Sequence, residues 1–145
     1  MVRALSANVG KINATPWQRR KKRTVAFDSS FLVAVMETPT PWQADIAEKV
    51  GAFTPVVLQS VRDELRRLVE RNDKRGMFAS LALELVARGK FAVEPDGGGK
   101  PDNEIISYAL LQGAAVATID SDLGNRLRAS RVATVITLRG GRVSV

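Results

Sequence analysis

Short apolar runs alternate with segments of helical periodicity from residue 24 to the end of this chain. The apolar runs predict strands at residues 24–28, 91–94, 114–119 and 132–138, and the closing GGRVSV is a candidate hairpin partner. The periodic segments predict helices at residues 29–37, 41–50, 55–72, 74–88, 102–112 and 122–130. Strands that alternate with helices indicate an α/β protein in which helices cover a mainly parallel sheet.

Two Thr-Pro pairs set the starts of two of these helices. We expect Thr40 to cap the second helix, with Pro41 in its first helical position. The FTP segment, residues 53–55, is a short extended link or a strand, and its Thr-Pro pair opens the third helix. That helix then runs to about residue 72.

A carboxylate stands at the exit of two predicted strands. Asp28 follows the apolar run TVAF, and Asp120 follows AAVATI. In an open α/β sheet, ligand sites form at the carboxyl ends of the strands, so both side chains are candidates for one site. Each aspartate has an alternative role as the N-cap of the helix that follows it.

Glu64 lies on the apolar stripe of the predicted third helix. At about 100° per residue, Glu64 falls near Val61 and Leu65, whereas its neighbour Asp63 points away. Burying a carboxylate alone is costly, so Glu64 needs a partner unless it lies at the edge of the stripe and reaches water. The helical phase therefore selects Glu64 over Asp63 as a candidate site residue.

Asp102 repeats this pattern at the start of the fifth helix. It heads the face that carries Ile106 and Ala109, whereas Glu104 points to the other side. The alternative role is a helix cap beside Pro101.

Together these four acids would gather negative charge at one edge of the sheet, and Asp122 adds a fifth carboxylate. Carboxylates that pack together repel and raise one another's pKa unless a cation neutralises them. Oxygen ligands without histidine or cysteine select a hard ion, Mg²⁺ or Mn²⁺. Such an ion binds phosphates and activates water, which makes phosphate chemistry the candidate activity.

The composition removes several other chemistries. The chain has no cysteine and no histidine, which excludes a thiol nucleophile, a Ser-His triad and a Cys/His zinc site. Its 145 residues are enough for one domain with a real core. No apolar run reaches the roughly 18 residues of a membrane span. Because the N-terminus also lacks a signal-peptide stretch, we expect a cytoplasmic protein with no membrane partner.

The net charge of +7 is concentrated at the N-terminus. Residues 1–23 hold seven lysines and arginines and no acid, whereas residues 24–145 hold 15 basic and 15 acidic side chains. We expect a basic arm over residues 1–23 that contacts RNA through one aromatic ring and a run of cations: Trp17, Arg19, Arg20, Lys21, Lys22 and Arg23. The alternative is a solubilising tail.

Four segments resemble the successive motifs of PIN-domain nucleases: VAFDSSFL, TPVVLQSVRDELRRL, KPDNEIISYALLQGAAVATIDSDLGNRLR and VATVITLRG. The resemblance covers about residues 24–140, in the order and spacing of the family. It implies a three-layer α/β/α sandwich over residues 24–145 and an endoribonuclease that depends on Mg²⁺ or Mn²⁺.

The family pattern also implies roles for single residues. Its four catalytic, metal-holding acids fall on Asp28, Glu64, Asp102 and Asp120, and Asp122 matches a frequent fifth. Ser30 and Thr118 match small polar positions and are expected to orient the carboxylates. The arginines at positions 62, 66, 67 and 71 could guide the RNA backbone, with a solvated helix face as the alternative.

Within the family, the chain is similar to archaeal PIN proteins of the ribosomal-RNA-processing kind, which implies pre-ribosomal particles as partners. A VapC-type toxin with an antitoxin partner is the second reading, although the basic arm is unlike a compact toxin that begins near its first strand. The third is an RNA-binding ribosome assembly factor without catalysis. The resemblance also makes a homodimer plausible.

Overall fold

A six-stranded sheet forms the centre of the part of the chain that the computed structural model describes, residues 23–145. In chain order, its strands are β1 Arg23–Phe27, β2 Phe53–Leu58, β3 Ala92–Glu94, β4 Ala115–Ala117, β5 Val135–Arg139 and β6 Arg142–Ser144. They lie in the order β3-β2-β1-β4-β5-β6. All neighbours pair in parallel except β5 and β6, which form an antiparallel hairpin. The mainly parallel sheet predicted from the sequence is confirmed.

Six helices in the described residues connect these strands: α1 Ser29–Glu37, α2 Trp42–Val50, α3 Gln59–Val69, α4 Lys74–Arg88, α5 Pro101–Gln112 and α6 Ser121–Ala129. Helix α4 packs on α1 and α3, whereas α5 packs on β1, β2 and β4 and contacts α6. Right-handed crossovers place the helices between β1 and β3 on one face and those between β3 and β5 on the other. The fold is therefore a three-layer α/β/α sandwich. No helix in residues 23–145 has the length and apolar character to cross a bilayer.

Apolar side chains of the central strands fill the core. All three residues of β4 are buried, and Phe27 at the end of β1 is 1% exposed. The Phe27 ring meets those of Phe31, Trp42 and Phe91 edge to face, with ring centroids 5.3 to 5.5 Å apart. Such pairs stabilise a core beyond their buried area. The cluster holds the carboxyl end of β1, where the first predicted site residue follows.

The pairing of β1 with β4 brings two segments of the predicted site together. Phe27 pairs with Ala117, so Asp28 and Thr118 leave the sheet side by side. The Asp28 amide donates to the Ala117 carbonyl at 2.9 Å, and the Thr118 amide donates to the Ile136 carbonyl at 2.9 Å. Both backbones are therefore fixed at the carboxyl edge of the sheet.

The prediction that Thr54 and Pro55 open a helix is wrong. Both residues lie in β2, and α3 begins only at Gln59. A proline is tolerated in this inner strand because β3 pairs with β2 only from Val56 onward. A backbone donor at Pro55 would therefore have no acceptor on that side, and the sheet loses no hydrogen bond.

Smaller differences lie at the ends of other elements. Helix α2 begins at Trp42 with Pro41 in the N-cap position, so Thr40 does not cap it. The Thr40 hydroxyl is buried without a hydrogen-bond partner among the described residues. Strand β4 is shorter than the predicted 114–119, because the chain leaves the sheet at Thr118.

Arg23 is the first residue of β1 rather than the last residue of a separate arm. It pairs with Phe53 across the sheet, and its Nη2 donates to Thr134 Oγ1 at 3.0 Å. The other predicted RNA contacts of the arm lie outside the described residues: Trp17, Arg19, Arg20, Lys21 and Lys22. Their contact with RNA stays a prediction.

A charged pair joins the β5–β6 hairpin to α2. Nε and Nη2 of Arg142 donate to the two carboxylate oxygens of Asp45, each at 2.8 Å. The hydrogen bonds from Arg142 lower the pKa of Asp45, against the opposite effect of burial. Because Asp45 is only 6% exposed, this pair is the main polar anchor between the two elements.

We predict that Asp45→Asn lowers the melting temperature at neutral pH but not in strong acid. The folded-state pKa of Asp45 is depressed, so its stabilisation is present above the unfolded-state pKa and lost as the pH falls through the folded value. Thermal unfolding of both chains between about pH 7 and about pH 2 measures this difference. Glu84→Gln, an exposed acid on α4 away from this pair, is the control. A gap that stays constant across this range contradicts the prediction.

Candidate active site

Asp28 is buried at the end of β1 with two hydroxyl groups directed at one of its oxygens. It is 3% exposed. Ser30 Oγ donates to Asp28 Oδ2 at 2.5 Å, and Thr118 Oγ1 donates to the same oxygen at 2.8 Å. A buried carboxylate requires such donors, because an unpaired charge in the interior is very costly. The two hydroxyls therefore hold the Asp28 side chain in one orientation.

Each hydroxyl also accepts a hydrogen bond from a backbone amide, and the two hydroxyl oxygens lie 3.2 Å apart. Ser30 Oγ accepts from the Ile119 amide at 3.1 Å, and Thr118 Oγ1 accepts from the Asp120 amide at 3.0 Å. Because a hydroxyl carries one proton, these protons are both committed to Asp28 Oδ2. Asp28 Oδ1 receives no hydrogen bond from residues 23–145. This oxygen remains available to a ligand.

Asp120 can serve both as a helix N-cap and as a site carboxylate, the two roles considered from the sequence. Its Oδ1 accepts from the amides of Asp122 and Leu123 at 2.9 and 3.2 Å, so it is the N-cap of α6. Its Oδ2 has no donor among the described residues. Asp28, by contrast, occupies the N-cap position of α1 but makes no capping bond with its side chain. Of these two aspartates, only Asp120 caps its helix with its side chain.

Glu64 points towards this edge, and its neighbour Asp63 does not. Ser29 Oγ donates to Glu64 Oε1 at 2.6 Å, which ties the second turn of α3 to the start of α1. Asp63 Oδ1 instead accepts from Gln59 Nε2 at 3.2 Å and lies 3.6 Å from Nη1 of Arg66. The two adjacent acids therefore face different surroundings, as the helical phase predicts.

Asp102 is the site acid whose pKa responds to the charges of the other three. It lies in the first turn of α5, where Lys100 is the N-cap residue, so it is not the cap. Burial raises the pKa of Asp102, and the negative charges of Asp28, Asp120 and Glu64 raise it further. The charge of Arg126 opposes this rise in the pKa of Asp102. The four acids predicted from the sequence thus lie close enough to interact through their charges.

A glycine-rich loop before α5 fixes the starts of two helices at the site. Asp96 Oδ2 accepts from the Ser60 amide at 3.0 Å, which caps the first turn of α3. The Glu104 carboxylate accepts from the amides of Gly97 and Gly99 at 2.8 and 3.3 Å. The loop therefore positions α3 and α5, the helices that carry Glu64 and Asp102. Its amides are occupied within the chain and do not form an open cradle for phosphate.

The four acids offer the oxygen ligands that a hard divalent ion prefers, but their present spacing does not suit one shared ion. Each of the four acids keeps at least one oxygen without a donor from the described residues. In residues 23–145, however, no three carboxylates are arranged to hold one ion. Like charges repel, which favours a spread arrangement of this kind. Asp122 is exposed beside the site, and its side chain has no hydrogen bond to a described residue.

The arginines on and after α3 are largely engaged away from the acids. Three of them bind side chains of their own segment: Arg62 to Gln59, Arg66 to Asp63 and Arg71 to Asp73. Arg67 is exposed. That these side chains guide the RNA backbone stays a prediction.

Three further residues shape the site without having been singled out in the sequence. Ser29 contacts Glu64, Asp96 caps α3, and Arg126 donates to Asn103 Oδ1 at 2.6 Å beside Asp102. The DSS triplet offers a signal for Ser29, because it places two hydroxyls after a candidate acid. Arg126 lies four residues after Asp122 on one helix, a spacing that shares a face. Asp96 has no local signal, since its contact spans 36 residues.

Comparisons with known proteins support the same family. A family model described as a PIN like domain matches residues 25–141. The fold is similar to a structure described as that of the PIN domain endonuclease Utp24, with a TM-score of 0.70 and 19% identity over 83% of this chain and 88% of that one. It is also similar to a domain of a functionally unknown protein from Methanocaldococcus jannaschii DSM 2661, with a TM-score of 0.57 and 17% identity over 85% and 96% of the two chains. No curated protein sequence gives a significant match.

We predict that Asp102→Asn raises the melting temperature at neutral pH in the absence of divalent ions. The folded-state pKa of Asp102 is raised, so ionisation destabilises the fold as the pH rises through that value. Below the ordinary pKa of 3.8, the wild-type carboxyl is protonated and the gain disappears. Thermal unfolding in chelator across this range measures the effect, and Asp63→Asn is the control. A less stable variant at neutral pH would show that Asp102 mainly serves α5 through its helix dipole.

Proposed function

The chain belongs to the PIN-domain family of nucleases, and on that premise we propose that it is an endoribonuclease that hydrolyses RNA with Mg²⁺ or Mn²⁺. The observation that carries the proposal is the convergence of three carboxylates, those of Asp28, Glu64 and Asp120, on the partly buried Asp102, whose pKa is raised by burial and then by their charges. A structural acid cluster would be expected to have its oxygens paired by donors. Here each acid keeps an oxygen without a described donor, which suits a group that meets a cation and a phosphate.

The residues that would hold the metal follow from the free oxygens. They are Asp28 through Oδ1, Glu64 through Oε2, Asp120 through Oδ2, and the Asp102 carboxyl group. When bound, a divalent ion supplies positive charge at the phosphate and makes water more acidic. Ser29, Ser30 and Thr118 keep the carboxylates in place, and loss of such orienting partners typically costs about 10- to 100-fold.

The reaction that suits this arrangement is hydrolysis of a phosphodiester bond. The oxygen of a water molecule attacks phosphorus and gives up one proton, the bond from phosphorus to a ribose oxygen breaks, and the departing oxygen takes up a proton in its place. The exposed acids Asp120 and Asp122 leave the edge open to a long polymer. RNA as the substrate rests on the motif resemblance and on the six cations of residues 1–22.

Ribosomal RNA processing in the cytoplasm is the cellular role we propose, on the motif resemblance alone. A toxin would share the same chemistry, so the two roles differ in substrate and partner rather than in the site. A binding factor without catalysis differs from both, because it has no cleavage activity that the replacement of a site acid could remove. The two predictions that follow address the metal and the reaction.

We predict that Mn²⁺ raises the melting temperature of the wild-type chain. A ligand that binds only the folded state at about 100 times its Kd stabilises it by about 2.7 kcal/mol. For a chain of this size, that corresponds to several degrees. Asp28→Asn combined with Asp120→Asn should remove the rise, while asparagine at 120 can still cap α6. Asp63→Asn should keep it. A rise that survives the double substitution would place the metal elsewhere.

We predict that Glu64→Gln removes most cleavage of single-stranded RNA, because the neutral amide gives up the negative charge that a hard divalent ion binds. The substitution keeps the size of the side chain and its acceptor for Ser29, so the melting temperature should change little. Asp63→Asn is the matched control on the next residue and should cleave at the wild-type rate. Initial rates on a labelled oligonucleotide measure both variants. Equal loss in the two would contradict the assignment of Glu64.

A further inference from the structure

Two grooves flank the acidic edge and meet at one exposed apolar side chain, Ile119. The α1–α4 groove encloses about 290 Å³ and is lined by Ser30, Lys74, Arg75, Phe78 and Ile119, among others. The α6–β5 groove encloses about 160 Å³ and is lined by Ile119, Asp120, Gly124, Arg128 and Arg139, among others. Ile119 is 44% exposed and borders both. Of the four site acids, Asp120 lines the α6–β5 groove itself, and Asp28 is bound by Ser30 and Thr118, which line one groove each.

The cations of these grooves are free to bind a ligand. Lys74, Arg75, Arg128 and Arg139 are all exposed, and none forms an ion pair within residues 23–145. The arginines paired with acids, such as Arg66, lie outside both grooves. The α1–α4 groove also holds one exposed acid, Glu37, so its two cations leave a net positive charge there. Unpaired cations on each side of an acidic centre match an anionic polymer that crosses it.

Gly124 shapes the floor of the α6–β5 groove. A Cβ at this position would approach Nη1 of Arg128 to 3.3 Å, so the guanidinium group lies against the bare helix backbone. A planar guanidinium held in this way offers its donors to a phosphate that enters the groove. The α1–α4 groove differs, because it adds the half-buried ring of Phe78 to its two cations.

We propose that one unpaired RNA strand runs from the α1–α4 groove over Ile119 into the α6–β5 groove. The proposal rests on the proposed ribonuclease function and adds the path of the substrate. Lys74 and Arg75 bind the phosphates on one flank of the cut, and Arg128 and Arg139 bind those on the other. Ile119 inserts at the base step between them, as apolar wedges do where a strand is unstacked. Phe78 stacks on a base of the first flank.

The test combines charge removal with shortening of the RNA. Lys74→Ala with Arg75→Ala should lower kcat/KM on a long single strand about tenfold, and this loss should vanish when one flank of the cut is trimmed. Arg128→Ala with Arg139→Ala should lower it similarly, with the loss vanishing only when the opposite flank is trimmed. Both pairs responding to the same flank would overturn the proposal.

A matched pair at the far edge of the sheet gives the control. Arg88 and Lys90 are exposed cations in a 540 Å³ groove at the amino ends of β2 and β3, opposite the acids. Arg88→Ala with Lys90→Ala removes the same charge, and its effect should not depend on which flank is trimmed. If the groove pairs behave like this control while the wild type cleaves RNA, the path is wrong and the ribonuclease function stands.

Binding tests the path even if the wild type fails to cleave RNA. Each phosphate neutralised on a single strand contributes about 0.7 to the slope of log affinity against log salt, so each groove pair should flatten it by about 1.4. A chain that shows this effect but no metal-dependent cleavage would retain the path and lose the proposed function. Unchanged slopes in both groove pairs would overturn the path.

Unstacking of a base by Ile119 can be measured separately. RNA with 2-aminopurine next to the mapped cut should brighten when bound to the Glu64→Gln chain, because the unstacked base loses its quenching neighbour. Adding Ile119→Ala should abolish the increase, and in the active chain it should lower the cleavage rate about tenfold, the scale of one base-stacking contact. Leu111→Ala, at an 83% exposed site outside both grooves, is the control. Equal brightening with and without Ile119 would overturn the wedge.

Discussion

The parallel pairing of β1 with β4 is the constraint on which the rest of the site depends. It sets Phe27 opposite Ala117, and the next residue on each strand is a site residue. From there, the Thr118 and Ser30 hydroxyls converge on one oxygen of Asp28 and also receive the amides of Asp120 and Ile119. A shift of one residue in this register would turn every side chain of the strand to the opposite face. The register thus fixes the fold and the acidic edge together.

Polar groups are treated differently at the two ends of the molecule. At the hairpin, Arg142 binds both oxygens of Asp45. These hydrogen bonds lower the pKa of Asp45 and stabilise the fold when the carboxylate is ionised. At the acidic edge, burial raises the pKa of Asp102 and the charges of the neighbouring acids raise it further, so ionisation of this carboxyl group costs stability. A fold accepts such a local cost where burial elsewhere supplies enough stability, and sites that bind ligands commonly carry it.

Much of the fold, and the placement of most of the acids at the carboxyl edge of the sheet, are predictable from the sequence, for identifiable reasons. Asp28 and Asp120 follow buried strands, and Glu64 keeps its phase relative to Val61 and Leu65 although the predicted start of α3 is wrong. The Pro55 error arises because the pairing of β3 with β2 starts one residue later, which no local pattern reveals. Contacts made across the chain, such as those of Ser29 and Asp96, depend on tertiary packing and could not be predicted.

The short outer strands of the described sheet have a consequence for self-association. Both β3 and β6 have three residues, so the sheet offers little free backbone on either side for another chain to extend. Long, flat outer strands are the usual template for aggregation, and shortening them is one of the ways by which proteins avoid it. Pairing of two copies by continuous sheet formation is therefore disfavoured along the two outer edges of the described sheet.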